Sequence, residues 1–230
     1  LGGWAPNSTM TVPLKKGQVF QVLRTTTGLT GVDLTGTRVQ SVAGASGGCK
    51  RIAVFSGSGK LSISTPGCNA GSSDNLYQQL YPVAAWGKKF VTVPSVNKPN
   101  NYYRIQRSAA TANVYVNGTL VPASSFINNF CEIYNNTPNV IESDTLICVS
   151  QFFTSQGCPQ GGGGNPSPYD PDMIVLNPVE QNINKVTLVN SPLTVSGTQQ
   201  HNIHVVIRKG GTAQSSFRFD NTLVNVSNWV

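Results

Sequence analysis

Two glycine-rich motifs place reactive side chains in patterns known from enzymes. The segment 44–48 (GASGG) fits the Gly-x-Ser-x-Gly pattern of a nucleophile elbow, in which the serine sits on a sharp turn between a strand and a helix. The segment 49–55 that follows has the composition of a strand, so the required helix is missing. The segment 57–60 (GSGK) resembles a phosphate-binding loop, but Leu61 stands where that loop has Ser or Thr. We therefore expect no catalytic serine at the first motif and a hairpin turn at the second.

The nine Asp and Glu residues are spread thinly, and no pair is spaced for acid–base catalysis. Asp170 and Asp172 stand beside turns and are weak calcium candidates, because Ca²⁺ prefers oxygen ligands. Asp74 and Asp170 occupy equivalent positions of an internal repeat described below, which favours capping of backbone N–H groups instead. His201 and His204 differ in strand parity, so they are expected on opposite faces. We predict no enzyme activity, no cofactor and no metal site.

The five cysteines indicate disulfides rather than zinc, because they form no Cys-x-x-Cys pair and no Cys/His spacing suited to that metal. Cys49 and Cys68 flank a segment predicted to form a strand, a turn and a strand, and such a hairpin would bring their thiols together. Cys148 lies in an apolar run and is interpreted as a buried thiol. Cys131 and Cys158 are left as the second candidate pair.

The composition is typical of a protein outside the cytosol. Only 11 % of the 230 residues are charged, polar uncharged residues are abundant, and disulfides are expected, as in secreted and cell-surface proteins. No apolar stretch approaches the ~20 residues that a membrane-spanning helix needs. The chain starts without Met or a signal segment, which indicates a piece of a longer, multidomain protein.

The net charge of +7 indicates the partners that the surface would attract. Basic doublets stand at 15–16, 50–51, 88–89 and 208–209, at expected strand edges and turns. If they cluster in space, they would attract anionic ligands such as sialylated or sulfated glycans. Nucleic acid is not an expected partner, because no nucleic-acid-binding motif is present and only 8 % of the residues are aromatic.

The elements that must position these residues are short strands. Twelve segments alternate apolar and polar residues between Gly, Pro, Asn or Ser, at 9–12, 18–23, 37–42, 51–55, 89–93, 102–106, 112–116, 145–152, 173–176, 185–189, 202–207 and 216–219. They predict an antiparallel all-β fold with very little helix, arranged as paired sandwich-like sheets or as a propeller-like ring of small sheets. One short helix is predicted at 74–81, with Ser73 or Asp74 as its N-cap.

An internal repeat with a period of about 95 residues divides the chain. The segments 74–83 and 170–179 both read Asp, seven residues, Pro-Val, and 52–57 corresponds to 147–152. We therefore predict one domain over residues 1–230, with repeat units at about 1–95 and 96–190. Residues 191–230 would form a closing segment or a partial third unit.

Five segments together make the chain similar to a known family. They are GVDLTGTRVQS (31–41), CKRIAVFSG (49–57), SSDNLYQQLYPVAAWGKKFVTVP (72–94), NTPNVIESDTLICVSQF (136–152) and DPDMIVLNPVEQ (170–181). They resemble the IgGFc-binding protein N-terminal domain family, in the version found in adhesin-like proteins of Bacteroidetes. The resemblance covers most of residues 17–190 and implies extracellular binding or adhesion rather than catalysis. It carries over no particular binding residue.

These observations predict a non-catalytic binding or adhesion domain of a larger secreted or cell-surface protein. The longer loops at 43–50, 65–74, 94–101 and 156–170 are the expected contacts for a glycan or protein ligand, since rigid β scaffolds usually bind through loops. The alternative is a structural spacer or filament-forming module that associates with itself through strand edges.

Overall fold

The computed structural model describes residues 5, 7–24, 33–44, 47–64, 71–95, 101–155, 170–188, 203–210, 212–225 and 227. The chain divides into two compact units, 1–37 and 38–230. The described part of the first unit contains turns but no strand, so the strands predicted at 9–12 and 18–23 do not form. An alternating segment becomes a strand only where a partner satisfies its backbone groups, and Val19 instead stands 91 % exposed.

The second unit is built mainly from strands, which confirms the all-β prediction. Its strands are β1 (Phe55–Leu61), β2 (Asp74–Gln79), β3 (Gly87–Thr92), β4 (Asn101–Arg107), β5 (Val114–Val116), β6 (Thr119–Leu120), β7 (Phe130–Asn135), β8 (Asn139–Phe153), β9 (Asp172–Val175), β10 (Arg218–Phe219) and β11 (Thr222–Leu223). Short helical segments lie at Val83–Ala85, Ala123–Ser125, Val179–Gln181 and Thr212–Ser216. None of the helices in the described ranges has the length and apolar character needed to cross a membrane.

The 15-residue strand β8 is the centre of a seven-stranded sheet. The first part of β8 lies between β3 and β5, so that Ile141 pairs with Phe90 on one edge and with Val116 on the other. The second part lies between β4 and β9. All four pairings are antiparallel. β6 extends the sheet beyond β5, and β7 extends it beyond β4.

The sheet curls around one apolar core. Ile141, Ile147 and Val149 lie at alternating positions of β8, on one face of the strand, and are fully buried. They pack in a single cluster with side chains of β3, β4, β5 and β7: Phe90, Ile105, Val114 and Cys131. Strands paired with both parts of β8 meet in this cluster, so the described strands build one curled sheet around one core.

The other face of the sheet is partly covered by the ribbon of β1 and β2. Leu76 of β2 packs with Tyr102 of β4 and Phe152 of β8 in a second apolar cluster, together with Ile63 just after β1. The backbone N–H of Ile63 donates to Ser155 Oγ at 2.8 Å, and the Ser155 N–H donates to the Ile63 carbonyl at 2.9 Å. These bonds fix the ribbon to the end of β8.

Two predictions about the ribbon are wrong. The segment 57–60, predicted as a hairpin turn, lies inside β1, and the predicted helix at 74–81 is instead β2. The burial of successive side chains shows that this segment is a strand. Leu76 is 2 % exposed and the next residue, Tyr77, is 71 % exposed, as expected when neighbouring side chains point to opposite faces. A helix this short is marginal in water, whereas pairing with β1 satisfies the backbone groups. Asp74 Oδ1 accepts the N–H of the next residue at 2.7 Å instead of capping a helix.

Several other predicted strands are absent or shortened in the described residues. The segments 37–42, 51–54, 185–188 and 203–207 carry no strand, and only the last two residues of 216–219 belong to one. Their apolar side chains stay in solvent, as Val39 shows at 58 % exposure. Alternation alone does not provide a pairing partner. In 51–54 the Val54 carbonyl accepts the Leu80 N–H at 2.9 Å, but the described residues form no strand there.

The strand registers are compatible with the predicted repeat. In the first ribbon Ser56 pairs with Gln78, and where β8 meets β9, Gln151 pairs with Ile174. The predicted repeat makes Ser56 equivalent to Gln151 and Gln78 equivalent to Ile174, so both copies share one register. In each copy a proline and a 3₁₀ turn follow the second strand. The unit boundaries themselves stay a prediction.

Replacing Gly57 with alanine is expected to separate β1 from β2. A Cβ atom at this position would overlap the Leu76 carbonyl group, with 2.6 Å to its carbon, and would lie 2.9 Å from Tyr77 Cα. Because these atoms belong to the backbone, no side chain can rotate away to relieve the overlap. Hydrogen exchange of the β2 amides should become at least about tenfold faster in Gly57→Ala. Gly59→Ala is the matched control, since a Cβ there meets no atom within 4 Å, and its exchange should match the wild type. Equal exchange in both variants would contradict the observed pairing.

Candidate functional site

The strongest candidate for a binding surface lies on the face of β4 and β7 opposite the core. Residues at odd positions of β4, such as Ile105, point into the core, so Tyr102 and Arg104 at even positions point to the other face. Arg104 pairs in register with Glu132 of β7, and Tyr102 pairs with Tyr134. We call the five residues Tyr102, Arg104, Phe130, Glu132 and Tyr134 the Arg104 patch.

Glu132 is the polar centre of the Arg104 patch. Its Oε1 accepts hydrogen bonds from Arg104 Nε at 3.1 Å and from Arg104 Nη2 at 2.5 Å, and also from the Tyr102 hydroxyl. Its Oε2 accepts a hydrogen bond from the Tyr134 hydroxyl at 3.0 Å. One carboxylate therefore holds three side chains, which fixes their geometry before any ligand arrives.

Aromatic rings surround the guanidinium of Arg104. Its Cζ atom lies 4.5 Å from the ring centre of Phe130, 5.6 Å from that of Phe152 and 5.7 Å from that of Tyr102. These distances are in the range of cation–π attraction. The rings of Tyr102 and Tyr134 are stacked, with 4.9 Å between their centres. The long arginine side chain is thus held on several sides.

The Arg104 patch stays accessible although it is ordered. The side chain of Arg104 is 19 % exposed and that of Glu132 is 29 % exposed, while Tyr134 is 43 % exposed. Tyr102 is 7 % exposed, because the second apolar cluster covers it. The buried side chain of Tyr102 supports the partly exposed side chains of Arg104, Glu132 and Tyr134, and these three can contact a partner surface.

Both tyrosines of the patch stay protonated at physiological pH. Burial, followed by the charge and the hydrogen bond of Glu132, raises the pKa of Tyr134 to about 12. Burial and the Glu132 hydrogen bond also raise the pKa of Tyr102 well above its usual value. Each hydroxyl therefore donates to Glu132, as the hydrogen bonds of both tyrosines show.

The acidic calcium candidates are not brought together with other ligands. Asp170 is exposed, and Asp172 Oδ1 accepts the N–H of Met173 at 2.7 Å. Within the described ranges, no group of three His, Cys, Asp or Glu side chains could hold a metal ion. His204 is exposed, whereas His201 lies outside the described residues.

The cysteine pairings stay predictions, because Cys68 and Cys158 lie outside the described residues. Of the others, Cys49 is exposed, Cys131 is buried in the core and Cys148 is partly buried, and no two of these three are bonded to each other. Burial raises the pKa of Cys131 to about 11 and that of Cys148 to about 12. As free thiols, both groups would stay neutral near pH 7. Cys148 was expected to be buried and is partly buried.

Most residues of the predicted ligand-binding loops lie outside the described residues, namely 65–70, 96–100 and 156–169. The serine motif is also incomplete, since Ser46 lies outside the described residues, although the Gly47 N–H donates to the Gly44 carbonyl at 2.9 Å, as in a turn. Of the basic doublets, the one at 88–89 is already engaged, with Lys89 Nζ 2.7 Å from Glu142 Oε1.

The Arg104 patch was not predicted from the sequence. Its signal lay in two short segments, YYRIQ at 102–106 and FCEIY at 130–134, which each place large polar or aromatic residues on one face of a strand. Neither segment is distinctive alone, because the patch exists only when the two strands pair in one register. The distance of 28 residues between Arg104 and Glu132 hides that register in the sequence.

Comparison with known proteins identifies a family. A family model described as IgGFc binding protein matches residues 2–230 of the chain. No curated protein matches, and no solved structure matches.

Proposed function

Because the chain belongs to the IgGFc binding protein family, whose members bind proteins and are usually extracellular, we propose that the Arg104 patch is the docking surface of an extracellular protein-binding domain. The domain would act without catalysis, at the cell surface or after secretion, as one part of a larger adhesion protein. It would take a protein ligand rather than a glycan.

The chemistry of the patch supports this proposal. Tyr and Arg are the residue types that contribute most to binding hot spots, because they combine a large contact area with hydrogen bonds. Arg104 is already oriented by Glu132 and by three rings, so binding would lose little side-chain entropy. The single observation that carries the proposal is this preorganised, partly exposed guanidinium at the centre of an aromatic rim.

The proposal predicts that Arg104→Ala weakens binding of the immunoglobulin G Fc fragment by about 30-fold, the effect of one hot-spot residue. The Fc fragment is the probe because the family description names it. Affinity would be measured by surface plasmon resonance with the whole chain. Arg51→Ala is the matched control, since Arg51 is an exposed arginine outside the patch, and its affinity should equal that of the wild type.

Circular dichroism of both variants would show that the sheet is intact. An Fc affinity unchanged in Arg104→Ala would exclude the patch as the docking surface. Absence of Fc binding by the wild-type chain would refute this immunoglobulin as the ligand.

A second candidate function is self-assembly, and one observation favours it. Among the described strands, β7 pairs only with β4, and its other edge is bridged at Phe130 by Ile127, so the rest of that edge can accept a strand from another molecule. Sedimentation of the chain over a wide concentration range tests this function. Growth of oligomers with concentration would support a filament-forming module, and a constant monomer would exclude it.

A further inference from the structure

Arg107 is a buried cation without an acidic partner. It is the last residue of β4, it is 8 % exposed, and it pairs in register with Ile147 of β8. Within the described part of the chain, its only side-chain hydrogen bond runs from Nη1 to the Ala112 carbonyl, at 3.2 Å. Its Nε is buried and makes no hydrogen bond. A guanidinium carries five N–H donors, so most of its capacity is unused.

The surroundings of Arg107 compensate its charge only in part. Its Cζ atom lies 3.8 Å from the ring centre of Phe126, which covers one face of the guanidinium. Cys131 is near enough to sense the charge, but burial raises the pKa of Cys131 to about 11, so the thiol is neutral and supplies no counter-charge. A buried charge without a counter-ion is unfavourable, and such groups call for a specific explanation.

A cavity of about 230 Å³ opens beside this guanidinium. Apart from Arg107 itself, most of its wall is aliphatic, from Ala110, Ala112, Leu120 and Val121. This volume is several times the ~30 Å³ that one water molecule occupies in the liquid, so a small organic group fits.

Asn113, one of the polar residues at the rim of the cavity, is already engaged. Its backbone N–H and its Nδ2 donate to the two carboxylate oxygens of Asp144, at 3.0 Å and 2.8 Å. Its backbone carbonyl accepts a hydrogen bond from Ser143 Oγ at 2.9 Å. The Asp144 carboxylate is therefore committed to Asn113, and Arg107 is the charged residue among the described residues that line the cavity.

We propose that this cavity binds the carboxylate of a small aliphatic ligand, with Arg107 as the anchor. A carboxylate matches the planar guanidinium with two parallel N–H···O bonds, and it supplies the missing negative charge. The aliphatic wall favours a short apolar group next to that carboxylate, as at the C-terminus of a peptide that ends in alanine or valine. A sugar acid fits less well, because its hydroxyl groups would find few free partners. The site lies apart from the Arg104 patch and does not depend on the role proposed for it.

The test is a titration of the whole ¹⁵N-labelled chain with N-acetyl-L-alanine, followed by NMR. The Arg107 Nε–H signal should shift in a saturable way, with a Kd on the order of 1 mM, as expected for a fragment of this size. N-acetyl-L-alanine amide, which lacks the negative charge, should bind at least about tenfold more weakly. N-acetylneuraminic acid, a sugar carboxylate, should also bind more weakly.

Two variants keep the proposal falsifiable. Arg107→Met removes the charge but keeps the length of the side chain, and it should weaken binding at least about tenfold without lowering the melting temperature, because it removes an uncompensated buried charge. Ala110→Trp adds bulk at an exposed position of the rim and should block binding while Arg107 remains. Ligand-induced shifts of backbone amides near the cavity follow binding in both variants.

Four results would overturn the proposal: no saturable shift up to about 20 mM ligand, equal affinity for the acid and the amide, normal binding by Ala110→Trp, or normal binding by Arg107→Met. Tighter binding of N-acetylneuraminic acid than of N-acetyl-L-alanine would overturn the assignment to an aliphatic ligand.

Discussion

Asn139→Ala is expected to lower the free energy of unfolding by about 3 kcal/mol, because it removes a buried amide that takes part in five hydrogen bonds. Asn139 is 1 % exposed at the start of β8. Its Nδ2 donates to Thr92 Oγ1 at 3.0 Å, to Asn135 Oδ1 at 2.9 Å and to the Thr137 carbonyl at 3.0 Å. Its Oδ1 accepts hydrogen bonds from Asn117 Nδ2 at 3.1 Å and from Asn135 Nδ2 at 2.8 Å.

The size of this effect follows from the position of the amide. One side chain joins β3, the end of β7 and the turn between β5 and β6, so its loss affects three elements at once. Buried networks of this kind stabilise a fold when every member is satisfied and become costly when one member is removed.

Urea unfolding followed by intrinsic fluorescence would measure the change. Asn75→Ala is the matched control, since Asn75 is exposed on β2, and it should change stability by less than about 0.5 kcal/mol. A loss of stability equal in both variants would show that the network contributes nothing.

Ile147→Ala is expected to destabilise the second unit by about 3 to 4 kcal/mol, the range for a fully buried aliphatic side chain that leaves a cavity. Ile147 has no exposed surface and belongs to the main core cluster. It pairs with Gly87 of β3 and with Arg107 of β4, so it lies where the two parts of β8 meet. Because β8 is hydrogen-bonded to a strand on each edge at this position, its backbone cannot move to fill the cavity that Ile147→Ala would leave.

Ile174→Ala provides the comparison for Ile147→Ala. Ile174 has the same chemistry but is 44 % exposed on β9, so the expected loss is below about 1.5 kcal/mol. Denaturant midpoints of the two variants, at an unchanged slope, give the difference directly. If the two variants lost equal stability, the core would not be organised around β8.

The strands with regular alternation could be predicted from the sequence. The segments 89–93, 102–106 and 112–116 fall on β3, β4 and β5, and 145–152 falls within β8. In each case the apolar positions reach the core, so the local pattern and the long-range packing agree. The start of β8 was missed, because NVIES at 139–143 mixes polar and apolar residues where Asn139 is buried in a polar network.

The strand and turn predictions were wrong where the residue pattern of a segment and the presence of a pairing strand favour different structures. The Gly-rich segment of β1 resembles a turn and is held as a strand by β2, while the stretch at 18–23 alternates well and forms no strand. The two-residue turn of Asn117 and Gly118 was open to prediction, since an Asn-Gly pair at positive φ, 51° and 79°, is typical of a hairpin. The Arg104 patch could not be predicted from the sequence, because its geometry comes from the pairing of two strands that are distant in the chain.

The way β8 is paired along both edges also affects how the protein responds to mechanical load. Tension applied along β8 acts parallel to the strand and across its hydrogen bonds, which run to β3, β5, β4 and β9. Several ladders must then be sheared together before the strand can slide, whereas a free hairpin such as that of β10 and β11 can unzip one bond at a time. Under such a load the hairpin of β10 and β11 is expected to open before the sheet around β8.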